Sequence, residues 1–187
     1  SFSECLRTLV TCVSGGGNLL FNVGPMPTGE IEPRQVERLK EMGAWLGKYG
    51  KSLYGTRGGP YSNGRWGGTT RKDNTVWLHV FEWNGDTLRL PALPAKVTGI
   101  RALTGGAAVF QQTSAGLDVK LPRADQDPIN TVIELTLDKA LPEKLVLGSS
   151  RLLADDPTYG EVLLKQPQTN VERAKPVVLS LGSVKPV

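Results

Sequence analysis

Histidine is almost missing from this chain: His79 is the one imidazole among 187 residues. That scarcity excludes zinc or iron centres built from several histidines of one chain. Cysteine is nearly as sparse. Cys5 and Cys12 are too few for a four-cysteine metal cluster or a disulfide framework. They fall in one helical pattern, about 10 Å apart along its axis, which is too far for a disulfide. Both read as small buried apolar residues. No apolar run approaches the roughly 18 residues of a helical membrane span, so no membrane association is expected. Long runs of like charge are absent, and 22 Lys+Arg against 18 Asp+Glu leave a net charge of only +4; nucleic acid is not an expected partner. The first residues lack a basic stretch followed by an apolar one, so no targeting signal is expected within them. The length also falls short of a complete (β/α)8 barrel, which needs about 250 residues.

What is present describes a globular chain. Hydrophobic residues make up 39% and charged residues 21%, enough to bury a core. The 22 glycines and 13 prolines imply many turns and substantial β structure. Residues 3–14 place Leu6, Leu9, Val10 and Val13 at helical spacing, and Gly15, Gly16 and Gly17 end the helix. Residues 18–23, Asn-Leu-Leu-Phe-Asn-Val, form a short apolar run that fits a strand buried on both faces of a parallel sheet. A second helix is expected from Pro33 to Tyr49, with Val36, Leu39, Met42, Leu46 and Tyr49 inward and Gly50 as the stop. Helix, buried strand, helix is the tail of an α/β unit without its own core. From residue 75 the period becomes two. Residues 75–83 form a strand, Asn84-Gly85 signals a hairpin, and 87–90 returns. Further strands are expected near 96–103, 107–112, 117–121, 130–137 and 144–147, the spacing of an antiparallel sandwich.

Two stretches carry a resemblance. Residues 14–60 contain Gly16-Gly17-Asn18-Leu19-Leu20-Phe21-Asn22-Val23-Gly24-Pro25, then Gly43-Ala44-Trp45-Leu46, then Leu53-Tyr54-Gly55-Thr56. This ordered set resembles the end of the catalytic barrel in the α-L-fucosidases of glycoside hydrolase family 29. Residues 70–140 are similar to the β-sandwich that follows that barrel. The fold implied is mixed: a terminal α-β-α piece of a (β/α)8 barrel, with its eighth strand at 18–23 and eighth helix at 33–49, followed by a mostly antiparallel β-sandwich. Residues 1–55 are assigned to the barrel end, 56–74 to a Gly-rich connector and 75–148 to the sandwich. Residues 149–187 form a tail that completes the sandwich in one reading.

The resemblance implies a retaining exoglycosidase acting on fucosylated glycans or fucosides. Such an enzyme needs two carboxyl groups about 5 to 5.5 Å apart, one a nucleophile and the other an acid that then turns base. The family's dyad lies upstream of the Gly-Gly-Asn motif, so the resemblance assigns no catalytic residue in this chain. It implies no metal or cofactor, and a secreted or periplasmic location. A companion chain or a homo-oligomer is the expected partner, supplying the rest of the barrel. In a crystal, residues 18–23 are therefore expected to lie against strands of another chain or a symmetry mate; residues 17–24 solvent-exposed and unpaired there would make the barrel-end reading wrong. The competing function is a non-catalytic carbohydrate-binding or structural sandwich.

Two residues are singled out for substrate binding. Asn22, with the Gly24-Pro25 turn, sits at the C-terminal end of the presumed barrel strand, the end that carries active sites. It reads as a rim contact to fucose or as a loop anchor. Trp66, on a polar segment with Tyr61, Asn63 and Arg65, reads as a stacking platform for a sugar or as a wedge between barrel and sandwich. Glu30 and Glu32 read as recruits for acid–base work or as charge complements to the helix start. Glu82 and Asp86 read as a carboxylate pair across the Asn84-Gly85 turn or as a solvated tip. His79 reads as a packed, hydrogen-bonded core histidine, Asn18 as structural, and Trp45, Trp77 and Trp83 as packing residues.

Overall fold

The computed structural model describes residues 1–148. Helix α1 spans Phe2–Ser14 and helix α2 spans Pro33–Tyr49. Proline opens α2 because it has no N–H to lose at that position, and a 3-10 turn over Gly50–Ser52 follows the helix. Eight strands come next: β1 (Arg57–Gly58), β2 (Gly67–Lys72), β3 (Thr75–Val80), β4 (Thr87–Leu90), β5 (Val97–Ala102), β6 (Val109–Gln112), β7 (Leu117–Lys120) and β8 (Thr131–Leu137). They form a five-stranded sheet, β1-β2-β3-β8-β5, and a three-stranded sheet, β4-β7-β6, with every pairing antiparallel. This is the sandwich expected from the period-two pattern.

Strand β3 explains why its sequence is apolar in both directions. Val76, Leu78 and Val80 point between the sheets, into a core with Leu88, Val119 and Leu135. Trp77 faces the other way, into a second core with Leu6, Val10, Trp45, Leu53 and Val132. The helices therefore cover the outer face of the larger sheet. Each fully buried aliphatic side chain contributes about 1.5–3 kcal/mol. Polar anchors fix the docking. Arg7 donates from Nε to the Ile129 carbonyl at 3.2 Å and from one terminal nitrogen to the Phe81 and Pro128 carbonyls, with its guanidinium 5.2 Å from the Phe81 ring centre.

Several expectations need correction. Residues 18–23 form no strand. Leu20 is 84% exposed and Phe21 40%. In the single chain the segment is exposed and unpaired. The physical reason is direct: a parallel strand needs hydrogen-bonded neighbours, and no strand among the described residues lies beside it. Leu39, expected inward, is 37% exposed, whereas Met42 and Trp45 further along α2 are buried. Asn84-Gly85 is not a β3–β4 hairpin, because β3 and β4 lie in different sheets. The two-residue hairpin turn is instead Asp73-Asn74, between β2 and β3, with Asp73 at φ 52°. The region 56–74 is not a simple connector, since β1 and β2 lie within it. Its glycines permit close approach: a Cβ on Gly58 would stand 2.4 Å from the Ser14 carbonyl oxygen, and Gly67, at φ +136°, lies against the His79 carbonyl. Residues 144–147 contribute one parallel bridge, Tyr61 to Leu147, in place of a strand. Cys5 and Cys12 are free and only half-buried. The tail expected over 149–187 lies outside the described residues.

Candidate functional site

The segment between the helices is built from short local ties. Gly17 donates its N–H to the Cys12 carbonyl at 2.9 Å, ending α1. Residues 18–23 then run without secondary structure, and Asn22 is exposed. A compact loop follows. Pro25 and Ile31 form an antiparallel bridge, Met26 donates its N–H to the Glu30 carbonyl at 2.7 Å, and Gly29 donates to the Met26 carbonyl at 2.8 Å. Gln35, in the first turn of α2, accepts from the Gly24 N–H at 2.9 Å. At the root of the segment is a cleft of about 420 Å³, lined by Leu9, Val13, Asn18, Leu46, Leu53 and Tyr54 among others.

The two candidate binding residues do not share a surface. Asn22 stands on the exposed segment, but Trp66 is 2% exposed in the core between the sheets. A ring so enclosed offers no face to a sugar, so the stacking reading of Trp66 gives way to packing. Three of the four tempting carboxylates have partners. Glu32 accepts from Arg34 at 2.6 Å, which holds its carboxyl below the usual range. Asp86 accepts from the Thr87 hydroxyl at 2.6 Å, and that bond likewise lowers its carboxyl. A general acid at neutral pH needs the opposite shift. Glu82 lies 3.5 Å from Arg65.

His79 is fully buried. Its Nδ1 lies 3.2 Å from Asn130 Nδ2 and its Nε2 lies 3.5 Å from the Thr70 hydroxyl. The Thr70 hydroxyl donates to the Ser52 carbonyl at 2.5 Å, so its oxygen is left to accept from a protonated Nε2. Burial pushes the His79 pKa down to about 4. The ring is a neutral packing element, as its alternation with Trp77 suggested. Among the described residues no three His, Cys, Asp or Glu side chains converge as metal ligands.

Sequence reasoning missed Gln35. A glutamine at the third helical position ordinarily signals a capping box, and nothing in the sequence shows that this one reaches back eleven residues.

Comparison with known proteins bears on this geometry. The family model described as alpha-L-fucosidase matches residues 1–51, the two helices and the exposed segment between them. An alpha-L-fucosidase of Branchiostoma floridae is 32% identical over 135 residues, 67% of this chain and 30% of the relative. Among solved structures, alpha-L-fucosidase isoenzyme 1 from Paenibacillus thiaminolyticus superposes with a TM-score of 0.67 and 36% identity, over 74% of this chain and 35% of that one. The Thermotoga maritima alpha-fucosidase gives a TM-score of 0.60 and 33% identity, over 73% and 34%. The chain thus spans about a third of the length of the relatives it matches. It belongs with the α-L-fucosidases of glycoside hydrolase family 29 and matches the C-terminal portion of these enzymes.

Proposed function

We propose that this chain completes a retaining α-L-fucosidase whose nucleophile and acid/base reside on barrel strands outside these residues. Its substrates are terminal α-L-fucosides of glycans, met in a secreted or periplasmic setting. One observation carries the reading. The fucosidase model matches residues 1–51, both docked helices and the segment between them. The apolar run at 18–23 suits the interior of a parallel sheet, where it would gain the strand neighbours it lacks in the single chain. The chain contributes the closing strand, its helix and the sandwich. The upstream part contributes the two carboxyls at the 5 to 5.5 Å spacing that retention requires, roughly.

The test uses an aryl α-L-fucoside. The intact chain alone is expected to release no aryl group. Coexpressed with the upstream barrel portion of a related fucosidase, it is expected to turn the fucoside over. Activity that follows the 20.2 kDa species by itself overturns this reading in favour of a site built between copies of the chain. Silence in both arms overturns it in favour of a structural or glycan-binding sandwich.

A further inference from the structure

Gln35 stands at the third helical position of α2, after Glu32 as cap and Pro33 as first residue. Glutamine at this position usually turns back to the backbone N–H of its own cap. Here α2 has no side-chain cap hydrogen bond. The Gln35 amide oxygen instead accepts from Gly24 at 2.9 Å. The helix gives up a local stabilising bond, and the loop gains an anchor.

What is anchored is already stiff. Pro25 restricts Gly24 to extended backbone, and Pro27 and Pro33 limit the rest of the connection. The Pro25–Ile31 bridge and the Met26–Glu30 hydrogen bond close residues 25–31 on themselves. That closed loop needs one external tie to have a defined place. Among the described residues, the Gln35–Gly24 bond is the hydrogen bond that joins residues 18–31 to α2. The helix itself is held by Met42 and Trp45, both buried. A continuous path therefore runs from the helix–sheet core through Gln35 to Gly24, two residues beyond Asn22.

We infer that Gln35 is a positioning residue for the fucoside site: through the Gly24 peptide it fixes the Asn22–Pro25 turn at the end of the closing strand, where barrel enzymes carry their sites. This rests on the fucosidase-completion reading above. A contact that drifts from its place holds the fucoside more weakly in ground and transition states alike, so a stiff loop with one tie makes that tie matter.

The experiment uses the full chain coexpressed with the upstream portion of a related fucosidase, an aryl α-L-fucoside, and two variants. Gln35→Ala removes the acceptor, and Gln35→Glu keeps one. Gln35→Ala is expected to speed hydrogen exchange at the Gly24 amide and to raise KM about tenfold with kcat little changed, the signature of a lost uniform contact. Gln35→Glu is expected to restore both. Faster exchange with an unchanged KM makes the bond merely structural and overturns the inference. So does an alanine variant whose KM and Gly24 exchange both stay as in the unsubstituted chain, or a glutamate variant that behaves like alanine. Absence of turnover by the unsubstituted chain overturns the completion reading itself, a result distinct from turnover that ignores Gln35.

Discussion

Asn130 and His79 meet side chain to side chain at 3.2 Å, both fully buried beneath the helices. The neutral ring suits this place, because its pKa falls to about 4 from an ordinary 6.5 on burial. Between those two values the unfolded chain binds a proton that the folded chain refuses. The stabilising contribution is complete above pH 6.5 and is lost as pH falls towards 4. The expected loss is roughly 3 kcal/mol over that window. Urea unfolding midpoints taken at pH 7 and pH 4.5 measure it. His79→Gln is expected to show a clearly smaller drop between the two than the unsubstituted chain.

Glu134 of β8 gathers three donors. Lys51 and Trp77 Nε1 reach one carboxylate oxygen at 2.7 and 2.9 Å, and Arg101 reaches the other at 2.7 Å. Burial alone would raise its carboxyl; the bonds from Lys51, Arg101 and Trp77 outweigh this and hold it below the usual range. Because Lys51 follows α2 and Arg101 lies on β5, the cluster pins the helix end to the sheet. Glu134→Ala is expected to cost about 1–3 kcal/mol at neutral pH. Glu134→Gln, which still accepts from Trp77, is expected to cost less. Chemical denaturation ranks the two.

Glycines here have opposite consequences. Gly58→Ala drives a methyl group to 2.4 Å from a backbone oxygen of α1, and backbone cannot swing aside. A loss of about 1–3 kcal/mol is expected. Gly47, exposed on α2, has nothing within 4 Å of the added carbon. Gly47→Ala is expected to stabilise the chain by up to about 1 kcal/mol. Melting temperatures should move in opposite directions.

Trp66 offers a test of the packing assignment. Trp66→Ala is expected to destabilise the chain by about 3–5 kcal/mol. A variant of unaltered stability that weakens binding of fucose, read by calorimetry on the coexpressed enzyme, would return Trp66 to the substrate.

Local rules made the helices readable. Pro33 and Gly50 bracket α2, and the Leu6–Val10 spacing marks the buried stripe of α1. Strands β5 to β8 were readable because each has a face committed to a core. Pairing was less readable. The Asn84-Gly85 signal describes a bend, and whether its flanks pair depends on the sheet each joins. The apolar run 18–23 announces a strand, yet a strand exists only with neighbours. The glycines of 56–74 suggested a loose link because glycine marks slack and tight packing alike. The hold of Gln35 on Gly24 left no sequence pattern.

Strand β3 is a wall shared by two rooms, with Val76 and Leu78 on one side and Trp77 and His79 on the other. This bears on inheritance. A sandwich recombined into another protein without α1 and α2 would arrive with Trp77 and Val132 wet, a standing invitation to aggregate.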